Sequence, residues 1–132
     1  FIDQSGSVSD TQIGFFIGEL INCAKETDIC CYNFDATVDD SSRLIINFRT
    51  KPTWARTREG GTDFNSIANW LEQPENINKF DAIVILTDGF GDPLKEIKQQ
   101  VLWILTQDGN EKIVRSGDLF AKLTETIEDD EN

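Results

Sequence analysis

The sequence predicts a single open α/β domain, with a mostly parallel central sheet, one antiparallel edge strand and helices on both faces. Three observations carry this expectation. Ala82-Ile83-Val84-Ile85-Leu86 and Val101-Leu102-Trp103-Ile104-Leu105 are continuous apolar runs, the pattern of parallel strands buried on both faces. Ile13, Phe16, Ile17, Leu20 and Ala24 recur at helical spacing, as do Phe64, Ile67, Ala68 and Leu71, which gives two amphipathic helices. The apolar stretches 29–34 and 44–48 flank the turn-forming Asp39-Asp40-Ser41-Ser42 and read as an antiparallel hairpin whose second strand lies at the sheet edge.

Taken in order, the chain opens on Phe1-Ile2, too short for a buried strand, and lacks Met. A first strand truncated at its N-terminal side is therefore expected, in a fragment of a longer protein. Asp3-Gln4-Ser5-Gly6-Ser7 then forms a loop, in which Gly6 permits a bend. Ser9 followed by Gln12 is a capping box that starts the first helix with its positive end toward that loop. After the hairpin, residues 49–58 read as a basic, irregular connection carrying Arg49, Lys51, Pro52, Trp54, Arg56 and Arg58. The second helix is expected after Thr62, with Trp70 off its apolar stripe and Pro74 beyond its end. The stretch 88–100 is long enough for a short crossover between parallel strands. Ile113-Val114 suggests a short last strand, and Asp118 a cap for a closing helix with Leu119, Phe120, Leu123 and Ile127 inward. The domain is thus expected over 1–127, with 128–132 an acidic tail.

Composition narrows the function classes. A length of 132 residues and 39% hydrophobic content suit one core. The net charge of −12, with Lys and Arg scattered, argues against nucleic acid. No run is long enough to span a bilayer and no basic-then-apolar leader is present, so a cytoplasmic location is expected. Cys23, Cys30 and Cys31 lack the spacing of a disulfide framework or a zinc site and read as small core residues. With no His, neither a Ser-His-Asp or Cys-His unit nor an HExxH zinc site can form.

Asp3 and Asp88 both fall at the C-terminal ends of expected strands, where open α/β sheets bind ligands. Asp3, Ser5 and Ser7 sit on alternate residues, so their oxygens can converge on one small hard cation. Thr62, after Gly60-Gly61, adds a hydroxyl, and Asp88, after Leu86-Thr87, a second carboxylate. Asp63, Asp35 and Asp92 lie near these loops and are candidates to hold water or orient the hydroxyls. Phe90, glycine-flanked beside Asp88, is the best exposed candidate for partner contact; Trp54 and Trp70 are weaker ones, and Trp103 belongs to a buried run. Arg49, Lys51, Arg56 and Arg58 read as a solvated loop before an acid-seeking surface.

The order DxSxS, then T, then D resembles the von Willebrand factor A (VWA) family, whose metal-ion-dependent adhesion site (MIDAS) is built from those three loops. The chain is most similar to the C-terminal VWA-like domain of predicted bacterial metallopeptidases of uncharacterised function. That resemblance rests on Asp3-Gln4-Ser5-Gly6-Ser7, Gly60-Gly61-Thr62-Asp63-Phe64, Leu86-Thr87-Asp88-Gly89-Phe90-Gly91 and Val101-Leu102-Trp103-Ile104-Leu105-Thr106. It implies a Rossmann-like three-layer fold and a non-enzymatic module that binds Mg²⁺ or Mn²⁺ and captures an acidic residue of a protein partner. It further implies work beside a MoxR-type AAA+ ATPase, with any metallopeptidase chemistry upstream of Phe1. The competing expectation is a Mg²⁺-dependent phosphohydrolase of the haloacid dehalogenase type. That chemistry wants a second acid two residues after the first Asp as proton donor, and Ser5 stands there. A response-regulator receiver is weaker still, because its paired acids and lysine are not visible in matching contexts.

Overall fold

The strands are β1 (Ile2–Asp3), β2 (Ile29–Phe34), β3 (Val38–Ile46), β4 (Ala82–Thr87), β5 (Gln100–Leu105) and β6 (Leu119–Lys122), with helices α1 (Asp10–Cys23) and α2 (Asn65–Leu71). This is a computed structural model, which describes residues 1–24, 27–47 and 53–123. All six strands form one sheet in the order β3-β2-β1-β4-β5-β6. Among the described residues only the β2–β3 pair is antiparallel; β1–β2, β1–β4, β4–β5 and β5–β6 run parallel. The chain winds from β1 outward to β3, then returns to the other side of β1 for β4. The strand order therefore reverses between β1 and β4, and that is the crevice in which such sheets bind ligands.

Alternation along the strands sorts side chains onto two cores. Ile83, Ile85, Val101, Trp103 and Leu105 pack with Phe64, Ile67, Ala68, Trp70 and Leu71 of the α2 face. Ile2, Cys31, Ile46 and Leu86 pack with Ile13, Phe16, Ile17 and Leu20 of α1. Among the described residues one α-helix thus covers each face, as the two amphipathic stripes require. The α1 start matches its capping box: Ser9 Oγ accepts from Gln12 N at 3.1 Å, and Ser9 N donates to Gln12 Oε1 at 2.9 Å. Trp103 is fully buried, whereas Cys31 is buried and Cys30 half-buried, both as free thiols.

Four expectations are corrected. The hairpin turn lies at 35–37, and Asp39-Asp40-Ser41-Ser42 belongs to β3 beside a register shift between Cys31 and Asn33. Asp39 Oδ1 accepts from Ser41 N and Oγ, and Ser42 Oγ accepts from Asn33 N, so these turn-type side chains build an irregular strand instead of a reversal. Trp70 is buried, with its Nε1 donating to Asp40 Oδ1 at 2.7 Å. Ile113 ends a short 3-10 helix (Glu111–Ile113) where a strand was expected.

The fourth correction concerns the end of the described chain. Where a closing helix was expected to start, Leu119–Lys122 form β6, parallel to β5, with Leu119 and Phe120 exposed and Leu123 buried. Asp118 is no helix cap because its carboxylate is consumed elsewhere. It accepts Arg115 Nε and the Arg115 terminal nitrogen at 2.8 Å each, and Trp103 Nε1 at 2.8 Å. Phe48, Arg49, Lys51, Pro52, Ile127 and the acidic tail lie outside the described residues.

Candidate functional site

Three loops meet at the crevice, and Asp3 is their common acceptor. Its position at the end of β1, between β2 and β4, buries it fully. Asp3 Oδ1 accepts from Ser5 N at 2.8 Å and from Thr62 Oγ1 at 3.2 Å. Asp3 Oδ2 accepts from Thr87 Oγ1 at 2.5 Å. One carboxylate thus ties together the first loop, the glycine loop and the end of β4. Burial pushes the Asp3 carboxyl above the usual carboxylate range; hydrogen bonds from Thr87 and Ser5 oppose that, and the neighbouring Asp88 reinforces it.

Ser5 is buried and Ser7 exposed, with their hydroxyl oxygens 3.0 Å apart. Adjacent ligands of an octahedral Mg²⁺ at about 2.1 Å are separated by about 3.0 Å, so this pair matches one edge of such a shell. Among the described residues no group of three or more His, Cys, Asp or Glu converges. The donor set at the crevice is two carboxylates with hydroxyls, hard neutral and anionic oxygens that suit Mg²⁺ or Mn²⁺.

Asp88 is buried at the end of β4, its Oδ1 accepting from Phe90 N at 3.1 Å. Its loop is gripped by Asn110, whose N donates to Asp88 O at 2.8 Å and whose Nδ2 donates to Gly89 O at 3.1 Å. Gly89 has φ of 80°, and a Cβ there would lie 2.5 Å from Asn110 O. Gly89→Ala is therefore expected to cost about 1–3 kcal/mol. Urea unfolding checks this, and an unchanged midpoint would contradict the backbone placement of the loop.

The glycine loop is placed by Asp35. Its Oδ2 accepts from Gly60 N at 3.2 Å, and its backbone O from Asp63 N at 3.0 Å. A Cβ on Gly60 would meet Asp35 Oδ2 at 2.6 Å, so the glycine is what admits this approach. Asp63 Oδ1 accepts from Asn65 N at 2.9 Å, a local turn closing the start of α2, and Asp63 bridges to the exposed Asp92 through the backbone. Phe90 is 57% exposed beside Asp88.

Periodicity missed four contributors. Thr87 donates to Asp3, and the fully buried Gln4 holds the 53–62 segment, its Oε1 accepting from Thr57 N at 3.2 Å. Arg56 and Arg58 lie in a largely exposed irregular segment, as expected, but both are half-buried and tied to the body of the protein by hydrogen bonds. Arg58 donates to Asp35 Oδ1 and to Thr37 Oγ1, while Arg56 donates to backbone carbonyls of the first loop. Trp54 Nε1 donates to Asn33 Oδ1 at 2.7 Å, so this ring is an internal contact. The signal available in the sequence was the pairing of these donors with acids and amides some distance away, which no local pattern reveals.

The family model described as VWA-like domain (DUF2201) matches residues 1–123. The chain belongs to the VWA-like domain family. Comparison with curated proteins and with solved structures finds no match. The six-stranded mixed sheet with a helix on each face agrees with the VWA-like α/β fold. Membership of this family supports an interaction module, and among the described residues no helix is long and apolar enough to cross a membrane.

Proposed function

We propose that this VWA-like domain is a metal-dependent protein-interaction module, in which Asp3, Ser5, Ser7, Thr62 and Asp88 hold one Mg²⁺ or Mn²⁺ and an acidic side chain of a protein partner completes the site. The observation that carries this reading is the convergence of three loops on the Asp3 carboxylate at the β1–β4 crevice. When bound, the cation supplies a positive centre with a position open to an external carboxylate.

The chain's own groups have distinct tasks. Asp3 orients the hydroxyl of Thr62 by accepting its hydrogen bond, which leaves that oxygen's lone pairs free to ligate. Ser5 and Ser7 present neutral oxygens, so the two carboxylates, Asp3 and Asp88, balance a dication without overcompensating it. Phe90 gives the partner an apolar anchor beside the acid-binding position. Asp35 serves the site by seating Gly60, and Asp63 and Asp92 by joining the glycine loop to the Asp88 loop. A bacterial, cytoplasmic setting within a longer metallopeptidase-associated protein, and an AAA+ ATPase or its client as partner, complete the proposal.

Calorimetric titration of Mn²⁺ tests it. The native domain is expected to bind one ion, and Asp88→Ala and Thr62→Val to weaken binding by at least about tenfold. Absence of binding by the native domain at millimolar metal would remove the reading.

A further inference from the structure

We infer that Arg56 is the positioning residue of the first metal-binding loop, an inference that rests on the metal-site reading above. Arg56 comes from a strap, the irregular segment 53–62, whose Trp54 packs against the α1-side core and which ends in Thr62. Its guanidinium is spread over one loop: one terminal nitrogen donates to Gln4 O at 2.8 Å and Ser5 O at 3.4 Å, and the other to Val8 O at 2.6 Å. Nε donates to Asp10 Oδ1 at 2.8 Å. The side chain is 18% exposed whereas Asp10 is 75% exposed, so the carbonyl contacts, and not the ion pair, carry the attachment.

These carbonyls bracket Ser5 and Ser7. A five-residue stretch with a glycine at its centre has many conformations, and only some bring both hydroxyls to one edge of a coordination shell. A planar fork with fixed donor directions selects among them in a way a flexible ammonium cannot. The strap itself is anchored. Asn33 Nδ2 donates to Ala55 O and to Thr57 Oγ1 at 3.1 Å each, and Gly60 N donates to Asp35. Arg56 therefore couples the Ser5–Ser7 hydroxyls to the same anchored segment that delivers Thr62.

The electrostatic sign makes the idea separable from a simple charge effect. Removing a cation near a cation site favours metal binding by Coulomb's law, so any loss of affinity on removing Arg56 comes from lost geometry. The experiment compares the native chain, Arg56→Ala, Arg56→Lys and Lys95→Ala, the last removing a surface ion pair to Glu72 away from the crevice. Mn²⁺ affinity by calorimetry and metal-free amide exchange of Ser5 and Val8 are the two readouts. Arg56→Ala is expected to weaken Mn²⁺ by about 10–100-fold with faster exchange, Arg56→Lys to fall between, and Lys95→Ala to match the native chain in both. Native or tighter affinity in a folded Arg56→Ala overturns the inference. If the native chain itself binds no Mn²⁺, the metal reading fails and exchange decides: faster exchange in Arg56→Ala sustains loop positioning, and unchanged exchange overturns it.

Discussion

Asp3→Asn is expected to abolish the metal response while leaving the metal-free domain at least as stable as the native chain. The reason is that Asp3 is a buried carboxylate whose proton affinity is raised, first by burial and then by Asp88. Keeping it charged is a cost to the fold in the absence of a cation. An amide of the same shape still accepts from Ser5 N and Thr62 Oγ1, and can donate to Thr87 Oγ1. The pH dependence follows from the sign of the shift. A raised carboxyl pKa means the folded state holds its proton more tightly than the unfolded chain, so this contribution to stability is present in acid and lost as pH rises through the folded value. Asp3→Asn removes that loss, and its advantage over the metal-free native chain grows from acid toward neutral pH. With metal at 100 times Kd, the native domain should gain about 2.7 kcal/mol and the variant nothing. Thermal melts with and without Mn²⁺ read both effects. A variant that is less stable without metal, or that still responds to Mn²⁺, contradicts the account.

Asp118→Ala carries the second large effect, in a place remote from any ligand. Asp118 receives two donors from the Arg115 side chain, its backbone N at 3.1 Å, and Trp103 Nε1. Arg115 in turn donates to Lys95 O at 2.8 Å, so the cluster pins the approach to β6 against the 92–99 connection. Removing the carboxylate strands the indole N–H and the guanidinium. Breaking a buried pair costs about 3–5 kcal/mol, and since the Arg115 side chain is 23% exposed, about 2–3 kcal/mol is expected here. Burial raises the Asp118 pKa, but the hydrogen bonds from Arg115 and Trp103 outweigh it and leave the carboxyl below its usual range. Its stabilisation is therefore full above the unfolded carboxyl pKa and disappears as pH falls through the depressed folded value. Urea unfolding at neutral pH and in acid should show the gap between native and variant closing in acid; a gap independent of pH would assign the loss to packing.

The parts of the fold legible in the sequence were those encoded locally. Continuous apolar runs marked β4 and β5, a capping box marked the start of α1, and two carboxylates at strand ends marked the rim. β6 was misread because Leu119, Phe120 and Leu123 also satisfy helical spacing, and what makes them a strand is pairing with β5, which leaves no local trace. The β3 segment was misread because Asp and Ser are turn formers in isolation, yet here their side chains satisfy a strand irregularity. At the crevice, the placement of Asp3 and Asp88 at strand ends was legible, whereas Arg56, Asn33 and Gln4 act through partners set by topology alone.

β1 joins the β2–β3 hairpin to the β4–β5–β6 ladder, pairing Ile2 with both Asn33 and Leu86. Phe1 N reaches Val84 O across 83 positions of sequence, so this seam closes a very long loop, whereas the β2–β3 and β4–β5 pairs form among nearer neighbours. In folding, the two halves of the sheet are thus natural early units and their junction the late, slow step. Ser5 and Asp88 stand on opposite sides of it, so whatever draws their oxygens together also clasps the two halves and slows their separation.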